Sequence, residues 1–326
     1  MKAEILKMLR RTDGYLSGQQ ICDTFQVSRT AVWKAINQLK EEGYEIEAVR
    51  NKGYRITGCP DILSKEEIVS HMDTRWAGQN VSFYDETDST NTRAKAAGET
   101  GGSHGALFVA DQQNAGKGRR GRTWQSPPGS SIYMSLLLRP KFDPAKAPML
   151  TLLMAYSVAM ALKEEEEIQA RIKWPNDLVL NKKKICGILT EMSAEIDYIN
   201  YVVIGVGINA NMESFPEEIR ETATSLRLES GEQIRRAGLI AAVMKKFEEY
   251  YEQFCLTGDL SFLLDGYNQI LVNRDRQVCV LEPGAQYHAT ALGINEKGEL
   301  LVRREDGSLS QVFAGEVSVR GIYGYV

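Results

Sequence analysis

The sequence has few of the residues from which metal sites, disulfide frameworks and nucleophile–base pairs are built. Its three histidines have no spacing that suits a metal site or a catalytic triad, and no Gly-x-Ser-x-Gly elbow occurs. The five cysteines are scattered, odd in number and without a Cys-x-x-Cys pair, which is typical of reduced thiols in a cytoplasm. These absences disfavour a zinc enzyme and a nucleophilic hydrolase, and we assign no side chain as a metal ligand.

Long apolar runs are missing as well. The chain is charged from Lys2 onward, lacks the core of a signal peptide, and has no apolar run that approaches the ~18–20 residues needed to span a membrane. We therefore expect a cytoplasmic protein with no membrane partner. Its length of 326 residues suggests two or three domains.

Positive charge is scarce over most of the chain but not at its start. The whole chain carries −4, whereas residues 1–60 hold ten Lys and Arg against seven Asp and Glu, a net of +3. This basic balance indicates nucleic acid as a partner of the first segment.

The first sixty residues have the pattern of a helix-turn-helix. Apolar spacing predicts a short helix over residues 1–11, and a capping box at Ser17 and Gln20 predicts a second helix to about residue 25. After a tight turn, Ser28 is placed to cap a third helix that ends near residue 42. Residues 44–49 and 54–57 then alternate as two strands around a basic tip, the wing of a winged helix.

Outward-facing residues of this segment suit base edges and phosphates. They lie at the start of the third helix and at the wing tip: Ser28, Arg29, Thr30, Trp33, Lys34, Asn37, Arg50 and Lys52. The alternative is a winged helix that contacts protein instead of DNA. A single copy would read one half-site, so specific repression would need a dimer.

Residues 111–124 are the most distinctive stretch of the chain. Three glycines alternate with four cations before a closing tryptophan: Gly116, Lys117, Gly118, Arg119, Arg120, Gly121, Arg122 and Trp124. Glycine lets backbone N–H groups approach a ligand, and the cations form charge-assisted hydrogen bonds with phosphate or carboxylate oxygens. The prolines that follow exclude a dinucleotide-binding helix, and a P-loop would need Ser or Thr after Lys117. We interpret the stretch as an anion-binding loop, with a solvated basic surface loop as the alternative.

Three further clusters interrupt an otherwise apolar central region. Residues 88–91 precede a helix predicted over 92–97, where Ser89 or Thr90 is an N-cap compatible with a ligand role. A Trp-Pro-Asn-Asp corner at 174–177 interrupts strand pairing, and a hairpin tip at 182–184 follows. Gly205 and Gly207 end an apolar strand, and they either leave space for a flat ligand or allow close strand packing.

The remaining segments have the patterns of buried helices and strands. Strands are predicted over 106–110, 132–138 and 201–206, and a buried helix over 148–162 ends in a solvated acidic run at 164–167. The last fifty residues alternate as strands over 277–282, 286–294, 300–303 and 308–318, with Pro283-Gly284 in the first turn. Four or five strands in fifty residues predict a small β-barrel.

Together these motifs resemble the family of bifunctional biotin protein ligases and biotin operon repressors. The resemblance covers essentially the whole chain, and its motifs lie at residues 88–91, 116–122, 173–177, 184–189 and 205–209. It implies an α+β multidomain fold with a winged helix-turn-helix DNA-binding domain (1–62), a mixed α/β ligase catalytic domain (63–272) and an SH3-like C-terminal β-barrel (273–326). Lys117 replaces the arginine common at this loop position, which removes a bidentate contact.

The resemblance also implies a two-step reaction. Biotin attacks ATP to form biotinyl-5'-AMP and pyrophosphate, with Mg²⁺ as cofactor, and a carrier lysine then displaces AMP. The acceptor would be a biotin carboxyl carrier protein, the acetyl-CoA carboxylase subunit, or another biotin-accepting carboxylase. Biotinyl-5'-AMP would act as corepressor by favouring a homodimer that binds operator DNA.

Roles for individual residues follow from the same resemblance. The catalytic residues would be Lys184, Arg119 and Asp177, with Asp177 as the base for the acceptor amine. Biotin or its adenylate would contact Ser89, Thr90, Asn91, Gln113, Gly116, Lys117, Gly118, Arg119, Arg122, Trp124, Asn176, Lys184, Gly187, Gly205, Gly207 and Asn209. Two alternatives stay open: a winged-helix repressor that senses a nucleotide effector without ligase activity, and a lipoate ligase-type enzyme.

Overall fold

The structure is a computed structural model that describes residues 1–282, 285–313 and 318–321. Its strands form three separate sheets, one in each of three units. The first unit consists of α1 (Lys2–Arg11), α2 (Gly18–Phe25), α3 (Arg29–Glu41), β1 (Glu45–Val49) and β2 (Gly53–Gly58). Ser17 and Gln20 form the predicted capping box, and the Ser28 hydroxyl accepts a hydrogen bond from the Ala31 N–H. The predicted helix-turn-helix and wing are confirmed.

The second unit is built on a seven-stranded sheet. Its strands are β3 (Val81–Thr87), β4 (Ala106–Gln113), β5 (Ile132–Leu138), β6 (Arg171–Lys173), β7 (Asp177–Leu180), β8 (Lys183–Ala194) and β9 (Ile199–Ile208). Their order across the sheet is β3-β4-β5-β9-β8-β7-β6, and every neighbouring pair is antiparallel except β3 and β4. The strand predicted over 132–138 is confirmed as β5, with the same bounds.

Helices cover the two faces of this sheet unequally. They are α4 (Lys65–His71), α5 (Thr90–Glu99), α6 (Met149–Glu165), α7 (Leu226–Ser230), α8 (Arg236–Thr257) and α9 (Leu264–Ile270). The main core forms where α6 and α8 pack together against the sheet. On the opposite face α5 packs against β4, β5 and β9 in a smaller apolar cluster, and the rest of that face carries the polar site.

The helix α6 is apolar enough to resemble a membrane span. The segment Pro144–Glu165 passes that test by length and composition, so the expectation that no apolar run approaches this length does not hold. However, 67% of its most apolar part is buried inside the protein, which is the position of a core helix. The acidic run that follows it is exposed at Glu164, Glu165 and Glu167, as predicted.

A five-stranded antiparallel sheet forms the third unit. Its strands are β10 (Arg276–Glu282), β11 (Ala285–Ile294), β12 (Leu300–Arg304), β13 (Leu309–Val312) and β14 (Ser318–Gly321). The single strand predicted over 308–318 is wrong, because β13 pairs with β12 while β14 pairs with β10 at the other edge of the sheet. The predicted turn at Pro283-Gly284 lies outside the described residues.

Candidate active site

The basic loop between β4 and β5 is held by backbone hydrogen bonds across its base. The Trp124 N–H donates to the Gly116 carbonyl at 2.9 Å, and the Gly118 N–H donates to the Arg122 carbonyl at 2.7 Å. A Cβ at Gly116 would lie 2.5 Å from the Trp124 carbonyl oxygen, so glycine is required here. The loop therefore presents its cations from a folded turn.

Trp124 lies against two glycines of the central sheet. Gly187 of β8 and Gly207 of β9 are paired directly, and a Cβ at these positions would lie 2.9 and 2.6 Å from indole carbons. The Lys184 ammonium stands 5.3 Å from the ring centre, within cation–π range. In the described part of the chain, the buried indole Nε1 has no hydrogen-bond partner, so it is a donor available to a ligand.

The first turn of α5 brings three polar residues to the same face of the sheet. Ser89 occupies the N-cap position as predicted, but its side chain makes no capping hydrogen bond and instead lines a cavity. The Thr90 N–H donates to Gln113 Oε1 at 2.8 Å, which ties the helix to the end of β4. Asn91 packs over Gly205, where a Cβ would lie 2.1 Å from Asn91 Oδ1. Gly205 is thus needed for Asn91 to reach its place.

The Trp-Pro-Asn-Asp corner forms the turn between β6 and β7, where Lys173 pairs directly with Asp177. Asp177 Oδ1 accepts hydrogen bonds from Lys184 Nζ at 2.6 Å and from Asn176 Nδ2 at 3.0 Å. The Arg119 guanidinium of the basic loop donates to Asn176 Oδ1 at 2.9 Å. Loop, corner and β8 therefore meet in one charged cluster.

Lys184 belongs to β8 and not to a hairpin tip. The tip predicted over 182–184 is displaced, because the turn with positive φ is at Asn181 and Lys182. A register irregularity in the pairing of β7 with β8 places Val179 opposite Lys184. The side chain of Lys184 can consequently reach Asp177 from the strand.

Arg119 is a half-buried cation of this cluster. Burial lowers the pKa of Arg119 from its usual value, Asp177 acts in the opposite direction, and Arg120 lowers it further. Arginine nevertheless stays charged at any physiological pH. A charge with little solvent around it attracts an incoming anion more strongly than an exposed one would.

Two cavities meet at this cluster. The narrower one is a slot lined by Ser89, Thr90, Asn91, Gln113, Lys117, Gly118, Arg119, Trp124, Tyr133, Met134, Asn176, Lys184, Gly187, Ile188, Leu189, Gly205, Val206 and Gly207. The wider one, of about 530 Å³, is lined by Gly118, Arg119, Arg120, Arg122, Thr123, Trp124, Gln125, Lys173, Asn176, Asp177, Lys184, Asn209, Met212, Phe215, Ile219, Thr222 and Ala223. Such a pair of cavities suits a reaction that joins two anionic groups, since cations stand at their junction.

Nearly all the predicted ligand residues line one or both cavities. Three of them, Arg122, Asp177 and Asn209, line the wider cavity but not the slot. Gly116 supports the basic loop and lines neither cavity. In the part of the chain that the structure describes, no group of three or more His, Cys, Asp or Glu side chains is placed to hold a metal ion.

Several lining residues were not predicted. Tyr133 and Met134 lie on β5, whose uniformly apolar run hides which side chains face the slot. Met212, Phe215 and Ile219 come from the segment after β9, which has no recognisable motif. A signal was present in β5, where Ser135 is a fully buried hydroxyl within an apolar strand.

The predicted DNA-contact residues lie far from this cluster in sequence, on the first unit. All are exposed except Asn37, which is half-buried, and Trp33 is 56% exposed. At the wing, the Tyr15 ring lies 5.6 Å from Lys52 Nζ and 5.0 Å from the Arg55 guanidinium. The unit thus presents a basic and aromatic surface on α3 and the wing.

Family models match the chain in three places. Residues 83–209 match the biotin/lipoate A/B protein ligase family, residues 2–55 match a helix-turn-helix domain, and residues 275–320 match the biotin protein ligase C terminal domain. The first match contains both the basic loop and the Trp-Pro-Asn-Asp corner.

Curated relatives and solved structures agree with these matches. The chain is 40% identical over 309 residues to the bifunctional ligase/repressor BirA of Bacillus subtilis, covering 94% of each chain. It is 31% identical over 305 residues to the protein of the same name from Escherichia coli, covering 93% of this chain and 92% of the relative. The biotin protein ligase from Aquifex aeolicus in complex with biotin and ATP superposes with a TM-score of 0.66 at 32% identity, covering 74% of this chain and 99% of that one.

Proposed function

The chain belongs to the family of bifunctional biotin protein ligases and repressors, and we propose that its two joined cavities carry out the ligase reaction. The protein is an ATP-dependent biotin–protein ligase and a winged-helix repressor of the biotin operon. The observation that carries the assignment of the site is the junction of slot and wider cavity at Lys184, Arg119 and Asn176. We assign biotin to the slot and the nucleotide to the wider cavity.

In the first step, an oxygen of the biotin carboxylate attacks the α-phosphorus of ATP, and pyrophosphate leaves with the electrons of the broken P–O bond. The two reactants are both anionic, so their approach is opposed until cations offset the repulsion. Lys184 and Arg119 are the cations at the junction, and Lys117 and Arg122 stand on the same loop. We propose that these four cations stabilise the transition state that leads to biotinyl-5'-AMP.

In the second step, the acceptor lysine amine attacks the mixed anhydride carbonyl, forms the amide bond and releases AMP. The amine must lose a proton, and Asp177 is our candidate base. Its 2.6 Å contact with Lys184 and its hydrogen bond from Asn176 fix the carboxylate beside the junction. The acceptor is a biotin-accepting carboxylase, and we propose its biotin carboxyl carrier protein subunit as the domain recognised.

Further properties belong to the same proposal. Mg²⁺ would enter bound to the nucleotide phosphates, since Asp177 is the one carboxylate among the described residues that line the two cavities. Biotinyl-5'-AMP would serve as corepressor by ordering loops of the ligase unit and favouring a homodimer on operator DNA, which would require tighter binding to the dimer than to the monomer. We propose a cytoplasmic location and no membrane partner.

ATP–pyrophosphate exchange, measured with and without biotin, tests the first step. Exchange should require biotin, and Lys184→Ala should lower it by about 100-fold, because losing one donor at developing charge costs ~10²–10³ in rate. Lys183→Ala is the matched control, since this neighbouring lysine donates to the Arg220 carbonyl and is not among the described lining residues. Absence of exchange in the wild type would overturn the ligase assignment, and full activity of Lys184→Ala would overturn the role of Lys184.

A further inference from the structure

Glu191 lies on β8, two residues beyond the slot residue Leu189, and is itself outside the lining of both cavities. Its Oε2 accepts a hydrogen bond from Asn91 Nδ2 at 2.7 Å, and its Oε1 accepts one from Lys95 Nζ at 2.7 Å. The side chain is 32% exposed, whereas Asn91 is buried. Glu191 therefore connects a solvent-facing ion pair to a residue of the slot.

This carboxylate determines which way the Asn91 amide faces. An ionised carboxylate can only accept hydrogen bonds, so Asn91 must turn its NH₂ group towards Glu191 and its oxygen away. The oxygen then stands 2.6 Å from the hydroxyl of Ser135, which is fully buried. Burial would raise the pKa of Glu191, but hydrogen bonds from Lys95 and Asn91 lower it, which keeps the carboxylate ionised at neutral pH.

The orientation is passed on to Thr90. Ser135 has a single hydroxyl proton, and Asn91 Oδ1 can only accept, so that proton belongs to the Ser135–Asn91 hydrogen bond. Thr90 Oγ1 lies 2.7 Å from Ser135 Oγ and 3.2 Å from the amide oxygen of Gln113, which can only accept. While Ser135 donates to Asn91, the single Thr90 proton is used inside the protein, in one of these two contacts. With its proton used internally, Thr90 offers oxygen lone pairs to the slot.

We propose that Glu191 is a positioning residue that sets the direction of the Asn91–Ser135–Thr90 hydrogen-bond chain, so that the slot accepts the N–H groups of a cyclic urea. The proposal rests on the proposed function, in which biotin occupies the slot, and it adds that the ureido ring of biotin lies at Thr90 and Asn91. A carboxylate outside the slot thereby acts on the affinity for biotin without touching it.

Glu191→Gln should reverse the chain without unfolding it. Lys95 holds the amide oxygen of the new glutamine, so its NH₂ group faces Asn91, which flips to present its oxygen. Asn91 then donates to Ser135, Ser135 donates to Thr90, and Thr90 donates to the amide oxygen of Gln113, so one lone pair of Thr90 is no longer available to a ligand N–H group. In the full-length protein we expect the KM for biotin to rise about tenfold, as for about 1.4 kcal/mol of lost binding, while the KM for ATP and kcat stay within twofold.

A double variant separates hydrogen-bond direction from packing. Adding Asn91→Asp to Glu191→Gln lets the new glutamine donate to the new aspartate, whose second oxygen again accepts from Ser135. The original direction and the net charge of the pair are restored, so the KM for biotin should be lower than in Glu191→Gln even though Asn91 itself lines the slot. Glu99→Gln is the control, because Glu99 at the end of α5 accepts only from the Tyr201 hydroxyl among the described contacts.

The outcomes divide as follows. A raised KM for biotin in Glu191→Gln with recovery in the double variant supports the proposal. An unchanged KM in the single variant overturns it, as does a parallel rise in the KM for ATP with a lowered melting temperature, or a double variant no better than the single one. A wild type without biotin-dependent exchange would instead overturn the ligase assignment on which the proposal rests.

Discussion

At the scale of single residues, the site depends on glycines at positions where a side chain would collide with a neighbouring residue. Trp124 lies on Gly207 and Gly187, and the buried Asn91 lies on Gly205. Each of these glycines belongs to a regular strand, so the reason for glycine is the close approach of another group and not a special backbone angle. The sequence allowed either a ligand or close strand packing here, and in the structure side chains of the site itself occupy the space.

Gly207→Ala tests this arrangement. The added methyl group would stand 2.6 Å from Trp124 Cε2, and the half-buried indole would have to move from the junction of the two cavities. Overpacking of this kind costs about 1–3 kcal/mol, so we expect biotin-dependent pyrophosphate exchange to fall by about tenfold or more.

The control for that variant is Gly238→Ala in α8. There a Cβ would find its nearest neighbour, His71, at 3.8 Å, and alanine favours a helix over glycine by about 1 kcal/mol. This variant should keep full exchange activity and melt at the same or a higher temperature. Equal exchange in Gly207→Ala and the wild type would show that Trp124 need not hold this position.

At the scale of elements, sequence patterns predict those helix ends and strands that depend on interactions between residues close in the chain. The capping box of α2, the cap of α3 and the apolar run of β5 each depend on neighbours within a few residues, and each is found where predicted. The strand predicted over 308–318 is wrong, because β13 and β14 lie at opposite edges of the sheet, and alternation along the chain does not reveal strand partners.

The site, like the fold, could be predicted where its signal lies in residues that are close together in the sequence. Motif residues such as Lys184 and Asn176 carry recognisable chemistry in short runs, and they line the cavities. Glu191 shows no such signal, because its role depends on Asn91, a partner 100 residues away in the chain. The lining by Phe215 and Ile219 likewise follows from a segment with no periodic pattern.

The wing makes a prediction that separates the two activities. Arg50 and Lys52 are exposed at its tip, and each is positioned to neutralise a phosphate if the first unit binds DNA. Replacing both by alanine should lower operator affinity, and it should reduce the slope of log K against log salt concentration by about 1.8, at ~0.9 per phosphate contact. Fluorescence anisotropy with operator DNA at several salt concentrations would measure this.

Ligase turnover is the second measurement on the wing variant, and it should be unchanged. Lys182→Ala combined with Lys183→Ala removes the same charge from the hairpin of the ligase unit and serves as the control. A salt slope equal to that of the wild type would indicate that the winged helix contacts something other than a DNA backbone.

At the scale of the whole molecule, the first unit packs on α4 of the second unit around a buried carboxylate. Glu67 of α4 is 3% exposed and accepts hydrogen bonds from the Tyr44 hydroxyl at 2.5 Å and from Arg10, both of the first unit. His71, one turn further along α4, contacts it at 3.1 Å. Burial alone would raise the pKa of Glu67, but hydrogen bonds from His71 and Tyr44 and the charge of Arg10 lower it to about 2.

This lowered pKa predicts how stability depends on pH. A carboxyl group whose folded pKa is below its unfolded value stabilises the fold above the unfolded pKa, and that contribution is lost as pH falls through the folded pKa. The ordinary value of 4.5 and the folded value of about 2 place the loss between roughly pH 5 and pH 2. At neutral pH the contribution is about 3 kcal/mol, from ~1.36 kcal/mol per pKa unit.

Glu67→Gln should therefore lower the free energy of unfolding at pH 7 and flatten its decline between pH 5 and pH 2. Urea unfolding at pH 7, 5, 4 and 3 would measure both effects, and Glu41→Gln, an exposed carboxylate on α3, is the control that should retain the wild-type decline. Because Tyr44 and Arg10 lose their charged partner, the first unit should unfold before the ligase unit in Glu67→Gln. A variant whose stability declines with acid as steeply as the wild type would show that Glu67 does not join the two units by its charge.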